Sequence, residues 1–202
     1  MKIIGFVYNG EGREARGERR EVRGERREAR GEWEMVLKCD SCLLNNRKPM
    51  FVPDWTNELG VTECLILRVS RLGKGIALKF ADRYYDALAP GADFVAMDIL
   101  REAQTQGKPW IRALNFDYSL AIGRWSLVDS RLSLVEPSEF SFQPSDWLMS
   151  PEEAIVEASK VMTIRQGDLI YIQRPCAPRP VQKEEIIRVE INGEEKLYCK
   201  IK

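Results

Sequence analysis

Nine residues near the middle of the chain, Val61-Thr62-Glu63-Cys64-Leu65-Ile66-Leu67-Arg68-Val69, restrict its fold more than any other stretch. Leu65, Ile66 and Leu67 stand together without alternation. A strand wet on one face alternates apolar and polar residues, whereas one covered on both faces reads as a continuous apolar run. The stretch therefore predicts a central strand, Val61 to Arg71, sandwiched between two layers. At 202 residues the chain is long enough to supply them as a single domain, 1–202.

Further strands are predicted at Lys2–Tyr8, Leu132–Val135 and Leu169–Ile172. Ile186–Ile191 and Lys196–Ile201, joined at Asn192-Gly193, carry the signature of a hairpin with a type I′ turn. Helical stretches are fewer. Ile76, Phe80, Tyr84 and Ala87 fall at helical spacing. Met97–Gln106 forms a short helical run halted by Gly107 and Pro109. Ser150-Pro151-Glu152-Glu153 combines a cap, a first-turn proline and acids at the positive end. The helix it opens runs to about Val161, with Ile155, Ala158, Ser159 and Met162 inward. Gly91-Ala92-Asp93-Phe94 reads as an acidic corner. The expected class is α+β and β-rich, a mixed β-sandwich or roll with a few short helices.

Between the first strand and this framework lies a low-complexity insert at residues 11–34. Its core is three near-identical seven-residue units beginning at Arg13, Arg20 and Arg27. A period of seven suggests a coiled coil, but the only repeating apolar column is Ala15, Val22 and Ala29. Gly17, Gly24 and Gly31 would each cost about 1 kcal/mol within a helix. The i,i+4 pairs are like-charged, as in Glu14/Glu18 and Arg16/Arg20, and oppose a helix by roughly 0.2–0.5 kcal/mol each. A loop is the expected conformation. An arginine-rich nucleic-acid arm is the competing reading, but the interleaved glutamates cancel its field.

Composition narrows the chemistry. Lys plus Arg and Asp plus Glu both number 31, so no net basic field favours nucleic acid. No apolar run approaches the roughly 20 residues of a membrane helix. The first apolar residues are too few for a signal peptide and lack a small-residue cleavage site. Five cysteines, an odd number, fit a reducing, cytoplasmic setting. Cys39-Asp40-Ser41-Cys42 has CxxC spacing, but a single pair is a weak zinc signal and reads as incidental cysteines. There is no histidine, which removes any imidazole base or ligand.

Several short motifs, in order, carry a resemblance. They are Asp40-Ser41-Cys42-Leu43-Leu44, Arg71-Leu72-Gly73-Lys74, Ala81-Asp82-Arg83-Tyr84-Tyr85-Asp86-Ala87, Gly91-Ala92-Asp93-Phe94 with Asp98, Gly107-Lys108-Pro109-Trp110, Phe116-Asp117, Ala121-Ile122-Gly123 and Gly167-Asp168-Leu169. Their order and spacing resemble the fumarylacetoacetate hydrolase family, chiefly its C-terminal catalytic domain. The resemblance implies a magnesium ion held by three carboxylates, small keto-acid substrates such as acyl-pyruvates, and often a homodimer.

Carried over residue by residue, the resemblance places the strand Glu-x-Glu metal pair on Thr62 and Cys64, neither of which is a carboxylate. The third ligand falls on Asp93, which is retained. Glu63 lies between the degenerate positions and belongs to the opposite strand face unless the register slips by one. The family's lysine position is Leu114, its arginine position Met97, and its Thr-Gly-Thr-Pro loop Ile172-Gln173-Arg174-Pro175. The family's base histidine has no counterpart. These losses all serve one reaction, so the expected protein is a catalytically impaired member of the family. Two alternatives stay open: a magnesium-dependent hydrolase or decarboxylase working through Asp93, Glu63 and Cys64, and a scaffold or RNA-interacting protein using the charged repeat. Cys64 reads as a small buried hydrophobe, and Trp110 and Phe116 as core.

Overall fold

The computed structural model describes residues 1–8, 33–128, 147–191 and 193–202. In chain order its elements are β1 Ile3–Tyr8, β2 Trp33–Lys38, β3 Leu43–Asn45, β4 Leu59–Val69, β5 Tyr85–Ala96, α1 Met97–Thr105, α2 Ile111–Leu114, β6 Leu120–Ile122, β7 Ser126–Leu127, α3 Pro151–Val161, β8 Leu169–Gln173, β9 Arg179–Pro180, β10 Ile186–Ile191 and β11 Glu194–Lys200. The main sheet runs β2-β1-β8-β4-β5-β6-β3, with β7 added to β5 and β9 to β4. It is mixed: β1 lies parallel to β8 and β3 to β6, while β4 is antiparallel to both neighbours. The strand anticipated from Leu65-Ile66-Leu67 is therefore central, and all three residues are fully buried.

The sheet curls. Its seven-strand path would hold β2 and β3 about 29 Å apart if flat, at about 4.8 Å per strand. Yet only Cys39 and the Asp40–Cys42 turn separate Lys38 from Leu43, a step that reaches about 18 Å at most. The edges approach each other without pairing, so the architecture is an open roll.

Each face has its own cover. On one side Ile4, Phe6, Leu65, Leu67, Ile170 and Ile172 pack against Ala154, Ile155 and Ala158 of α3. Farther along that side Val61, Ala92 and Phe94 meet Ile187, Leu197 and Cys199 of the β10–β11 hairpin. The concave side encloses Ile3, Cys64, Ile66, Leu120 and Tyr171. Tyr171 lies so close over Gly5 that an added Cβ would stand 2.2 Å from its ring.

Local chemistry explains most of the boundaries. Ser150 and Glu153 form a reciprocal capping box at the start of α3, as the Ser-Pro-Glu-Glu sequence predicts. Ser159 is inward and fully buried, and its hydroxyl accepts the amide of Ile76 at 3.0 Å. α1 ends at Gly107, whose φ of 61° favours glycine.

Three expectations need correction. Residues 76–87 are not one amphipathic helix: a 3₁₀ turn covers Leu78–Tyr84, Phe80 is exposed, and Ala87 already belongs to β5. Eclipsed 3₁₀ side chains do not hold a 3.6-residue stripe. Gly91–Phe94 is no corner but the interior of β5, because pairing with β4 on one side and β6 on the other keeps it extended. The insert does not extend to 34, since Trp33 and Glu34 pair with Tyr8 and Val7. The rest of the charged repeat and the strand expected at Leu132–Val135 lie outside the described residues.

Asp168, from the Gly-Asp-Leu motif, fastens β1 beside β8. Its carboxylate accepts the amides of Lys2 and Arg165, each at 2.8 Å, and pairs with the Lys2 ammonium at 2.6 Å. Burial pushes its pKa up, but the Lys2 side chain and the two amides outweigh that and hold it below the usual carboxylate range. A depressed folded-state pKa stabilises fully above the unfolded value, about 3.9, and the benefit disappears as pH falls through the lowered value. Asp168→Asn is expected to cost about 1–3 kcal/mol near neutral pH. In urea unfolding the difference from the parent protein should shrink as the pH is lowered toward 3.

Candidate functional site

The antiparallel register sets Thr62 opposite Asp93 and Cys64 opposite Gly91. Directly opposed residues share a sheet face, so Thr62, Cys64 and Asp93 project together into the concave side. Strand alternation sends Glu63 to the other face, beside Ala92 in register. There it is exposed and paired with Arg174 at 2.7 Å. The strand has not slipped, and the structure does not bring Glu63 to Asp93.

Asp93 is 1% exposed and already has partners. The Lys38 ammonium, at the end of β2, stands 2.8 Å from Asp93 Oδ1, and both side chains are wholly buried. Lys38 also donates to Ser119 Oγ at 2.8 Å and to the Leu114 carbonyl at 2.5 Å. Gln173 Nε2 donates to Asp93 Oδ2 at 2.7 Å, and Gln173 Oε1 accepts the Tyr8 amide at 2.9 Å. One acid and one ammonium leave this cluster formally neutral.

Sequence reasoning missed Lys38 as a site residue, because a lysine closing an apolar strand normally reads as a solvated end. Curling of the sheet carries it inward. Gln173 was visible only as a departure within the Ile172–Pro175 loop, and nothing local signalled its bond to Asp93.

The remaining donors are weak. The Thr62 hydroxyl is buried without a hydrogen-bond partner among the described residues. Burial, with the Asp93 carboxylate beside it, pushes the Cys64 thiol well up, so the group stays protonated. It is a small buried side chain with no activating base beside it among the described residues. Magnesium and similar hard cations take several oxygen ligands in near-octahedral geometry. A single carboxylate already matched by an ammonium, with a hydroxyl and a protonated thiol, does not fit such an ion. Among the described residues no group of three or more His, Cys, Asp or Glu side chains is placed to hold a metal. At the CxxC turn Cys39 is exposed, while Cys42 is buried and donates to Asn115 Oδ1 at 2.9 Å.

Beside the cluster lies a cavity of about 870 Å³, with Gln173 and Leu114 among its lining residues. Its walls are largely apolar and include Val7, Val95, Met97, Leu100, Leu114 and Trp110. Met97 and Leu114, where the resemblance leads one to look for arginine and lysine, both line it. Trp110 also packs against core residues, so its expected core role is joined by one at the cavity wall. Phe116 makes an edge contact with Trp55, with ring centroids 5.3 Å apart.

Removing one member of a desolvated pair strands the other charge, typically at about 3–5 kcal/mol, whereas removing both avoids that cost. Lys38→Met and Asp93→Asn should each lower stability by about that amount. The double variant should lose clearly less than the sum of the two in denaturant unfolding; strict additivity would show that the two groups are not coupled.

Comparison with known proteins agrees with this fold. A family model described as fumarylacetoacetate (FAA) hydrolase C-terminal matches residues 2–201. No curated protein sequence matches. Among solved structures, fumarylpyruvate hydrolase from Pseudomonas aeruginosa in complex with Mn2+ and pyruvate is 17% identical, with a TM-score of 0.74 over 99% of this chain and 88% of that one. The 5-carboxymethyl-2-hydroxymuconate delta-isomerase of Mycobacterium smegmatis is 19% identical, with a TM-score of 0.71 over 99% of this chain and 78% of that one. The 2-hydroxyhepta-2,4-diene-1,7-dioate isomerase of Mycobacterium marinum is 17% identical, with a TM-score of 0.71 over 99% and 73%. At these identities the structural likeness speaks for the fold, and the match across nearly the whole length makes this chain a member of the fumarylacetoacetate hydrolase family.

Proposed function

We propose that this chain keeps the family's framework and a ligand cavity but not its divalent-cation-dependent turnover of small keto acids. One observation carries the reading: Asp93, the ligand that the resemblance implies, is held in a charge-neutral, hydrogen-bonded cluster with Lys38 and Gln173. A dication entering there would meet one carboxylate and a buried ammonium. It would have to expel the ammonium or bear its repulsion in a poorly solvating interior. Thr62 and Cys64 supply no compensating negative charge.

The cavity walls support the same reading. Family-type catalysis calls for cationic groups facing the substrate's developing negative charge. Here the corresponding positions are Met97 and Leu114, and the Cys64 thiol is held protonated. No side chain described here is a suitable general base within the cluster, because Asp93 is committed to Lys38 and Gln173. The protein thus acts as a binding member of an enzyme family, with a pocket whose chemistry has moved from charged to apolar.

Calorimetric titration of the full chain with Mg2+ and with Mn2+ tests this directly. The expected result is no saturable uptake up to about 1 mM of either ion, an affinity weaker than about 4 kcal/mol of binding free energy. Acyl-pyruvates, followed by loss of their enol absorbance, should be consumed no faster with the protein than in buffer. Saturable cation uptake abolished by Asp93→Ala, together with turnover of an acyl-pyruvate, would refute the proposal.

A further inference from the structure

The approximately 870 Å³ cavity falls within the size range of small-molecule sites, which generally combine apolar walls with a few placed polar groups. Here two of the polar side chains are spent, while Tyr8 and the exposed Gln104 also line the cavity. Gln173 is engaged at both ends of its amide, by Asp93 and by the Tyr8 backbone. Arg101, which also lines the cavity, is held by Glu58 through both terminal guanidinium nitrogens. Lys108 also lines the cavity, is exposed, and forms no ion pair with any described residue. Trp110 provides a flat, half-buried aromatic face in the wall.

We infer that this cavity binds an organic monoanion with an apolar body, such as a medium-chain or aromatic monocarboxylate, its charged end at Lys108 and its body against Met97, Leu100, Trp110 and Leu114. The inference deepens the binding role proposed above and rests on it. A compact keto acid carries several oxygens, most of which would lose water against these largely apolar walls without gaining a charged partner. A single anionic end with a long apolar remainder avoids that penalty. The apolar body gains from leaving water, and the lone ammonium supplies orientation.

Decanoate and decanol, matched in chain length, separate the two contributions. Titrations of the full chain would follow tryptophan fluorescence, with Trp110→Phe to identify the reporter, and calorimetry below the micellar range. Decanoate should bind saturably at one site, and decanol about tenfold more weakly. Lys108→Glu should weaken decanoate about tenfold or more and leave decanol unchanged. Leu100→Trp, which fills the cavity from α1, should abolish both while circular dichroism confirms the fold. If that variant does not fold, the Lys108→Glu comparison decides alone.

Absence of saturable decanoate binding, equal binding of acid and alcohol, or tighter binding of oxaloacetate than of decanoate would each overturn the inference. Mg2+ titration of the same samples separates the two levels. Cation uptake with keto-acid binding refutes the proposed function itself, whereas failure of decanoate without cation uptake refutes only the ligand assignment.

Discussion

The buried contact between Lys38 and Asp93 holds the parts of this molecule in a fixed relation. In the sheet order β2 and β5 are separated by three strands, so the ion pair crosses the concave interior rather than running along a ladder. Burying two charges is expensive unless geometry and hydrogen bonds recover the lost hydration. Here the ammonium meets the Asp93 carboxylate, the Ser119 hydroxyl and the Leu114 carbonyl, and Gln173 satisfies the second carboxylate oxygen. The pair thereby ties β2, β5, the end of α2, the approach to β6 and the end of β8 around one point. The curl of the sheet and the neutrality of the cluster are two aspects of the same arrangement.

That neutrality governs the chemistry. A carboxylate site gathers a hard cation by concentrating negative charge, and this one has its charge cancelled from within. On the proposed reading, Thr62, Cys64, Met97 and Leu114 act together: each stands where the resemblance leads one to expect a group that would interact with an ion or an oxyanion. On that same reading, the cavity beside this cluster favours ligands rich in carbon over ligands rich in oxygen. The fold also rests on contacts away from the cluster. The α3 face, the hairpin face and the Asp168 anchor are all independent of the cluster.

Much of the fold was legible residue by residue. Leu65-Ile66-Leu67 announced the doubly covered strand, Ser150 to Glu153 announced α3, and the hairpin near the C-terminus was visible from its flanking apolar runs. The reading failed where neighbours overrode local pattern. Gly91 to Phe94 looks like a turn but is drawn straight by strands on both sides. Ile76 to Ala87 has helical spacing, yet a 3₁₀ turn takes its middle and β5 captures its last three residues, Tyr85 to Ala87. Within the site, the opposite placements of Thr62 and Glu63 followed from strand alternation alone. Lys38 and Gln173 did not, because their contacts with Asp93 span 55 and 80 positions and depend on how far the sheet bends.

The sequence by itself determined which chemical groups exist: no imidazole, no carboxylate pair at 62 and 64, and one retained aspartate at 93. Those are composition and spacing, and no folding can add a missing ligand. Only the tertiary structure decided what that aspartate faces. Long-range curling of the sheet brings a lysine from one edge to the middle of the molecule, where it meets Asp93 away from water.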